Sequence, residues 1–222
     1  MFIDLVESLR CVAPHEESWL VASFDVLDGR AIVRGTLGCP VCRRRYPIVD
    51  RIAWLGVDPT SAPALIAVVG DEQDQDEERA RLAALLNLSE PGGLCILEGR
   101  WARLAPSLVE LVTTQILAIN PDAPLVPAEG ISILRTPDLL PIAAAVARGV
   151  ALGDAPWRSL EAWASLMAGA VHVLSRGGRL LAPSAIPVPP GVRELARDAR
   201  HWIGERLPLE SPPVTLRVIR GR

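Results

Sequence analysis

Short apolar runs alternate with helical segments over residues 77–222, and this alternation limits the fold more than any other feature of the sequence. Apolar runs of this length are typical of strands buried on both faces, and intervening helices are typical of crossovers between parallel strands. The pattern predicts an α/β domain with a doubly wound, mostly parallel seven-stranded sheet whose last strand is antiparallel. Ligands of such sheets bind at the carboxyl ends of the strands. The predicted helices cover 77–88, 104–114, 159–174 and a short stretch near 191–199; the predicted strands cover 94–98, 116–119, 131–135, 149–152 and 178–183, with two more near HWIGERL and VTLRVIR.

Residues 1–57 read instead as short strands and turns. The predicted strands lie in FIDLVESLRC, SWLVASFDVL, AIVRGTLGC and YPIVDRIAWL, and an Asp-Gly turn separates the second from the third. Apolar alternation around such a turn is typical of a β-hairpin. The sequence therefore predicts a small β-rich module, followed by a linker over residues 58–76 that contains the acidic run DEQDQDEE.

Two pairs of potential metal ligands lie on either side of the predicted hairpin. Cys39 and Cys42 are separated by two residues, and Cys11 and His15 by three. Zinc prefers four tetrahedral thiolate and imidazole ligands, and structural sites fill all four positions with protein atoms. A module this small also has little core of its own. We therefore predict a structural Zn²⁺ site of the Cys3His type; the alternative is that these side chains simply pack near a hairpin without metal.

Composition restricts the setting in which the chain acts. No run approaches the length of a membrane span, and the first residues lack the pattern of a signal peptide, so we expect a cytoplasmic protein without a membrane span. Cysteines clustered in that compartment indicate metal before disulfide. The net charge of −3 argues against nucleic acid as a partner. A protein partner and a small-molecule substrate both remain open, and the sequence does not indicate an oligomeric state.

The segment GTLGCPVCRRRYPIVDRIAWL resembles the Trm112-like zinc ribbon, in which a CxxC pair is followed by a tyrosine, Pro-Ile and an acidic turn. The match is best over residues 39–50. The first ligand pair differs, because Cys11 and His15 stand where the family has CPxC. Ribbons of this family commonly accompany or activate methyltransferases, so the resemblance implies a metal-binding module linked to methyl transfer.

Residues 77–222 resemble a divergent class I S-adenosylmethionine (SAM)-dependent methyltransferase, a Rossmann-like fold. VHVLSRGGRLLAP (171–183) is similar to the turn before the family's fifth strand, and PGGLCILEGRWAR (91–103) falls at its cofactor loop. The resemblance implies that the SAM cofactor is contacted by residues at the ends of three strands and in the loop after the first. The implied cofactor-binding residues are Glu98, Gly99, Asn120 and Asp138.

The same segments also depart from the family pattern. Glu98-Gly99 is followed by Arg100 and Trp101 in place of a glycine-rich turn, and Asn120 replaces the acid that binds the ribose hydroxyls. We assign no catalytic residue. Two functions remain open: an active methyltransferase with a divergent binding site, or a pseudoenzyme that keeps the fold, has lost the cofactor and binds a partner as a scaffold or regulator. An unrelated binding module is a third reading.

Overall fold

The computed structural model describes residues 1–61 and 72–208 and contains one continuous sheet of eleven strands. The spatial order of the strands is β1-β2-β3-β4-β7-β6-β5-β8-β9-β11-β10. Along the chain the strands are β1 (Val21–Asp28), β2 (Ala31–Gly38), β3 (Arg45–Val49), β4 (Ile52–Trp54), β5 (Leu94–Glu98), β6 (Gln115–Ile119), β7 (Ile131–Arg135), β8 (Ala147–Ala151), β9 (Leu174–Pro183), β10 (Val192–Arg197) and β11 (His201–Arg206). The α-helices are α1 (Glu72–Leu85), α2 (Ala105–Val109) and α3 (Leu160–Val173), and 3₁₀ turns span Ile3–Ser8, Pro59–Ser61 and Gly99–Leu104.

The seven strands from β5 to β11 form the predicted α/β sheet. Neighbouring strands from β7 through β6, β5 and β8 to β9 are parallel, and β11 runs antiparallel to β9. The fold class predicted from the alternating pattern is thus confirmed. One of the seven strands was not predicted: 192–197 is β10 rather than a short helix. The strand predicted at VTLRVIR lies outside the described residues.

Helices cover both faces of this sheet because its strands bury alternate side chains on opposite sides. In β5, Cys95 and Leu97 face the cluster that contains α1 and α2, whereas Leu94 and Ile96 face the cluster that contains α3. The α3 helix begins at Ser159, whose side-chain oxygen accepts a hydrogen bond from the Ala162 N–H, 3.2 Å away. Its buried residues recur at helical spacing, which directs one face to the sheet: Trp163, Leu166, Met167 and Ala170.

The N-terminal part is a small antiparallel sheet, as the sequence predicts. β1 and β2 form a hairpin around Gly29 and Arg30, and β3 and β4 continue it. The first predicted strand is wrong, because Ile3–Ser8 forms a 3₁₀ turn with Leu5 buried. In an extended chain Glu7 would share a face with Leu5 and Leu9. The turn instead buries the two leucines and leaves Glu7 exposed.

The two parts are joined through strand pairing and a shared core. β4 lies parallel to β7, with Ile52, Ala53 and Trp54 opposite Ile133, Leu134 and Arg135. The Arg10 N–H donates to the Pro141 carbonyl at 2.8 Å, and the Ala143 N–H to the Ser8 carbonyl at 2.7 Å. The proposed division into residues 1–57, a linker and residues 77–222 remains a prediction, and 62–71 of that linker lie outside the described residues. Among the described helices, none has the length and apolar content needed to cross a membrane.

Candidate metal centre and candidate cofactor site

Cys11, His15, Cys39 and Cys42 converge at one end of the N-terminal sheet. One potential ligand atom from each lies within 4.8 Å of the others. The Sγ atoms of Cys11 and Cys42 are 3.7 Å apart, and Cys39 Sγ is 3.4 Å from His15 Nε2. Two sulfurs bound to one tetrahedral zinc lie about 3.8 Å apart, and a sulfur and a nitrogen about 3.6 Å apart. These two pairs therefore have the spacing of ligands on one tetrahedral ion, and all four donors lie close enough to share it.

Local backbone geometry places these donors. Cys39 ends the β1–β2 hairpin region, and the Arg43 N–H donates to its carbonyl at 2.9 Å in a turn where Arg43 has φ +60°. Burial opposes ionisation of Cys39, but the backbone N–H groups of Cys42 and Val41 and the neighbouring thiols lower its pKa to about 6. A thiolate is the form that binds metal. Cys39 can therefore bind a metal ion near neutral pH.

Hydrogen bonds around the cluster orient its other members. His15 Nδ1 lies 2.6 Å from the Glu16 carbonyl, which leaves Nε2 directed at the thiols. Such an outer partner fixes the tautomer of a metal-binding histidine. The Tyr46 hydroxyl lies 3.1 Å from Cys11 Sγ. Burial, and to a lesser extent the hydrogen bond with Cys11, raises the pKa of Tyr46. The hydroxyl therefore stays protonated and can donate to a thiolate. This role of Tyr46 was not predicted from the sequence, although the tyrosine is part of the ribbon pattern.

The candidate cofactor site lies at the carboxyl ends of β5, β6 and β7. Glu98 is the last residue of β5, and Gly99 follows it with φ +59°. Asn120 follows β6, and Asp138 lies in the loop after β7. Contact of these four residues with SAM stays a prediction. Within the chain, the side chains of Glu98, Asn120 and Asp138 already have hydrogen-bond partners.

Arg158 connects two of the four residues. Its Nη2 atom lies 2.8 Å from Glu98 Oε1 and its Nε atom 2.7 Å from Asp138 Oδ1. The side chains of Arg158 and Glu98 are each only 5% exposed. The Gly153 N–H donates to the second oxygen of Glu98 at 3.0 Å. Burial raises the pKa of Glu98, and the Arg158 guanidinium acts in the opposite direction. The carboxylate at the end of β5 therefore has its countercharge within the protein.

Asn120 is also engaged by the chain. Its side-chain amide donates to the Thr136 carbonyl at 2.9 Å, and its side-chain oxygen accepts from the Thr136 N–H at 3.0 Å. Asn120 has φ +48°, a backbone region that asparagine tolerates better than most residues. The amide thus joins the segment after β6 to the segment after β7, a role that needs both a donor and an acceptor.

Arg100 and Trp101 turn toward α1 and the β10–β11 hairpin. Trp101 is buried and donates from Nε1 to the Leu152 carbonyl at 3.1 Å. The Arg100 guanidinium stacks on the Trp101 ring at 4.9 Å and pairs with Glu78 at 3.0 Å. These two side chains, which stand where the family has a glycine-rich turn, point away from the candidate cofactor site, and Arg158 lies between the site's carboxylates instead. No sequence signal indicated Arg158, because its partner Glu98 is sixty positions away along the chain.

Cys95, the fourth cysteine, lies apart from the cluster in β5. It is completely buried, and burial raises its pKa to about 12. Because the thiolate is the reactive form, we expect a thiol reagent at pH 8 to leave Cys95 unmodified in the folded protein and to modify it after unfolding in denaturant. Mass spectrometry of the peptide that contains Cys95 measures this. Modification of Cys95 in the folded protein at the rate of a free thiol would contradict the burial.

Comparisons with known proteins give similarity only at the level of solved structures. No protein-family model matches the chain, and no curated protein matches it. A complex of the Haloferax volcanii Trm112 methyltransferase activator with a methyltransferase matches with 14% identity and a TM-score of 0.37, over 51% of this chain and 60% of that chain. A protein described as a sarcosine dimethylglycine methyltransferase from Galdieria sulphuraria matches with 15% identity and a TM-score of 0.39, over 55% of this chain and 54% of that chain.

A third structure, described as an S-adenosyl-L-methionine-dependent methyltransferase from Methanococcus maripaludis, matches with 12% identity and a TM-score of 0.39. That match covers 67% of this chain and 99% of the other. The first two structures are matched over little more than half of their own length. With TM-scores below 0.5, these similarities carry no argument about the fold or the activity of this chain.

Proposed function

We propose that this chain is a pseudo-methyltransferase: it keeps the methyltransferase-like sheet, does not bind S-adenosylmethionine, and acts as a zinc-stapled scaffold for a partner. The observation that carries the proposal is the pairing of the buried Arg158 side chain with the buried Glu98 carboxylate and with the half-exposed Asp138 carboxylate. SAM brings a positive sulfonium and an ammonium group to its site. Here one guanidinium of the same sign already pairs with both carboxylates.

Exposed apolar side chains support the partner-binding half of the proposal. Trp157 and Leu160 flank Arg158 in sequence and are 81% and 85% exposed. Large exposed apolar groups are common at sites of protein interaction. Because Arg158 anchors this loop through its buried ion pair with Glu98, its neighbours are presented on the surface in a fixed place. The ion pairs of Arg158 therefore fill the candidate cofactor site and also fix the position of the exposed residues beside it.

The second candidate is an active methyltransferase, and Gly99 is the observation that favours it. The family needs an acid followed by bare backbone, and Glu98-Gly99 supplies this pair, with Gly99 in the left-handed region. A Cβ atom at Gly99 would meet Gly153 Cα at 3.7 Å, an ordinary contact, so it is the positive φ that favours glycine here. This candidate requires Arg158 to leave its two partners when the cofactor arrives.

Calorimetry with SAM and S-adenosylhomocysteine separates the two functions. We expect no heat of binding from the wild-type protein up to about 1 mM ligand, whereas an enzyme would bind at micromolar concentration. Metal analysis and a thermal melt of the same sample establish that the protein is folded. Micromolar binding of either ligand would refute the pseudoenzyme proposal.

Asn120→Asp gives a further test of the cofactor site. A ribose-binding acid would tighten S-adenosylhomocysteine by about ten- to a hundredfold. We expect no binding in this variant and a loss of about 1 to 2 kcal/mol in the free energy of unfolding, because aspartate cannot donate to the Thr136 carbonyl. Asn120→Ser, which keeps a donor, is the control. Tighter ligand binding with unchanged stability would favour the active enzyme.

Zinc is proposed here as the resident metal, held by Cys11, His15, Cys39 and Cys42. The donor set of three thiols and one imidazole suits Zn²⁺, and four protein donors leave no open coordination position for a substrate. The metal would therefore be structural. At the end of the N-terminal sheet, the bound metal would stabilise a module that has little core of its own.

A further inference from the structure

A cleft separate from the candidate cofactor site lies between α1 and the β10–β11 hairpin. Its volume is about 250 Å³. The floor is apolar and buried, and it includes Leu82 of α1, Trp101, and Leu181 of β9. The mouth is polar. Because β9 ends and β11 begins at the carboxyl edge of the sheet, the cleft opens on the edge where such folds bind ligands.

Guanidinium groups outnumber carboxylates around the mouth. Arg81 pairs with Asp198 at 2.9 Å, and Arg197 pairs with Glu194 at 2.8 Å. Arg100 pairs with Asp154 at 3.3 Å and shares Glu78, at 3.0 Å, with Arg103 at 2.6 Å. The lining as a whole contains four arginines and two acids, and the chain that carries it has a net charge of −3. The lining residues with charge are Arg81, Arg100, Arg197, Arg200, Glu78 and Asp198.

Arg200 and His201 have hydrogen-bonding capacity that the described chain does not use. The Arg200 guanidinium makes no hydrogen bond or ion pair within residues 1–61 and 72–208; the residue bonds only through its backbone, from its N–H to Asp198 and from the Ser184 N–H to its carbonyl. The Nε2 atom of His201 is buried without a hydrogen-bond partner in the same part of the chain, and its nearest acidic atom, Asp154 Oδ2, is 3.7 Å away. An unpaired buried polar atom is costly, and a ligand that reaches it regains that loss.

We propose that this cleft binds a small organic anion, an apolar ring or short chain that carries a carboxylate or a phosphate. The apolar floor would take the body of the ligand, and the arginines at the mouth would take its charge. The cleft is smaller than the range typical of drug-sized ligands, which limits the ligand to about the size of one aromatic ring with its anionic group. The proposal is independent of whether SAM binds between Glu98 and Asp138.

The test is a titration of the full chain with benzoate, phenyl phosphate and neutral benzyl alcohol, followed by NMR of the tryptophan indole N–H groups. The indoles of Trp101 and Trp202 border the cleft and are hydrogen-bonded, at 3.1 Å to the Leu152 carbonyl and 2.7 Å to the Ile186 carbonyl. Trp19 and Trp157 are exposed elsewhere and serve as internal controls. We expect at least one anion to shift the first two signals saturably, and the alcohol to bind about fivefold or more weakly.

Two variants and a matched control distinguish the cleft from general binding of anions. Arg200→Ala should weaken the anion about two- to fivefold, as expected for an exposed charge pair. Ala196→Trp, at an exposed lining position, should block the mouth and weaken binding at least about tenfold. Arg34→Ala removes an exposed arginine on β2, far from the lining, and should change nothing.

The tighter of benzoate and phenyl phosphate assigns the anionic group as carboxylate or phosphate. The proposal is overturned if neither anion gives saturable shifts at Trp101 and Trp202, or if benzyl alcohol binds equally well. It is also overturned if Arg34→Ala weakens binding as much as Arg200→Ala, because the contacts would then be unspecific.

Discussion

Protein purified without added zinc is expected to contain about one zinc per chain, and the Cys39→Ser variant is expected to contain none. A serine hydroxyl is a poor replacement for the buried Cys39 thiolate. Loss of the ion should lower the free energy of unfolding by more than about 4 kcal/mol, in the range reserved for loss of a metal or disruption of a core. The cause is packing: Cys39 and Tyr46 belong to the same hydrophobic cluster as Trp163 and Met167 of α3.

Metal content by elemental analysis and stability by denaturant titration measure this result. Cys95→Ala is the matched control, because it removes a cysteine outside the cluster and should keep one equivalent of metal. It is expected to lose stability only through the small cavity that it creates. Two results would contradict the zinc site: retention of metal by Cys39→Ser, or a metal-free protein that melts at the temperature of the untreated one.

Replacing Arg158 with methionine is expected to lower the free energy of unfolding by about 3 to 5 kcal/mol, since it leaves Glu98 as an uncompensated buried carboxylate. The Arg158 side chain is 5% exposed and also stacks on Trp163 at 4.7 Å, so a long apolar residue should preserve part of the packing. The double variant with Glu98→Gln should recover most of the loss, because the residual partner is then neutral. Denaturant titration of the four proteins in this cycle measures the coupling.

The pH dependence gives this prediction a readout beyond stability at one pH. Burial raises the pKa of Glu98, and in Arg158→Met the opposing guanidinium is absent. A carboxyl whose folded pKa lies above its unfolded value binds its proton more tightly in the folded state, so the deficit of the variant should be largest at neutral pH and shrink on acidification. Arg193→Met, which breaks an exposed pair with Glu205, should cost less than about 1 kcal/mol. A deficit of Arg158→Met that is equal at pH 5 and pH 8, or a double variant no more stable than the single one, would contradict the role of Arg158.

The central strands could be predicted because burial on both faces forces continuous apolar sequence. Residues 94–98 and 131–135 are strands with the predicted bounds, and in β5 all five residues are buried. The metal-ligand cluster could be predicted for a related reason. Ligand spacing on a turn is a local property, and a hairpin is the simplest way to fold two such turns together.

The ends of the sheet could not be predicted in the same way. β10 has the sequence VRELAR, in which arginine, glutamate, leucine and alanine are good helix formers, and only Val192 is buried. Its strand conformation comes from pairing with β11, a contact between segments that sequence periodicity does not report. Tertiary pairing overrides local preference most easily at an edge strand, where few side chains are buried.

The ion pairs of Arg158 in the candidate cofactor site could not be predicted from the sequence either. Glu98 ends a predicted strand, and Asn120 and Asp138 follow predicted strands, so their positions at the carboxyl edge could be predicted. Their contact with a cofactor stays a prediction. Their partners Arg158 and Thr136 depend on side-chain directions in loops. An arginine after an exposed tryptophan has no pattern that separates a buried ion pair from a solvated charge.

The parallel pairing of β4 with β7 means that the N-terminal sheet protects a strand edge that would otherwise be open. A fragment that starts after residue 57 would present the unpaired backbone of Ile131–Arg135 to solvent, together with apolar residues that Leu9, Leu37 and Tyr46 now cover. Open edges beside apolar surface recruit other chains and aggregate. Binding studies on a shortened protein would therefore report self-association, and partner searches need the full chain.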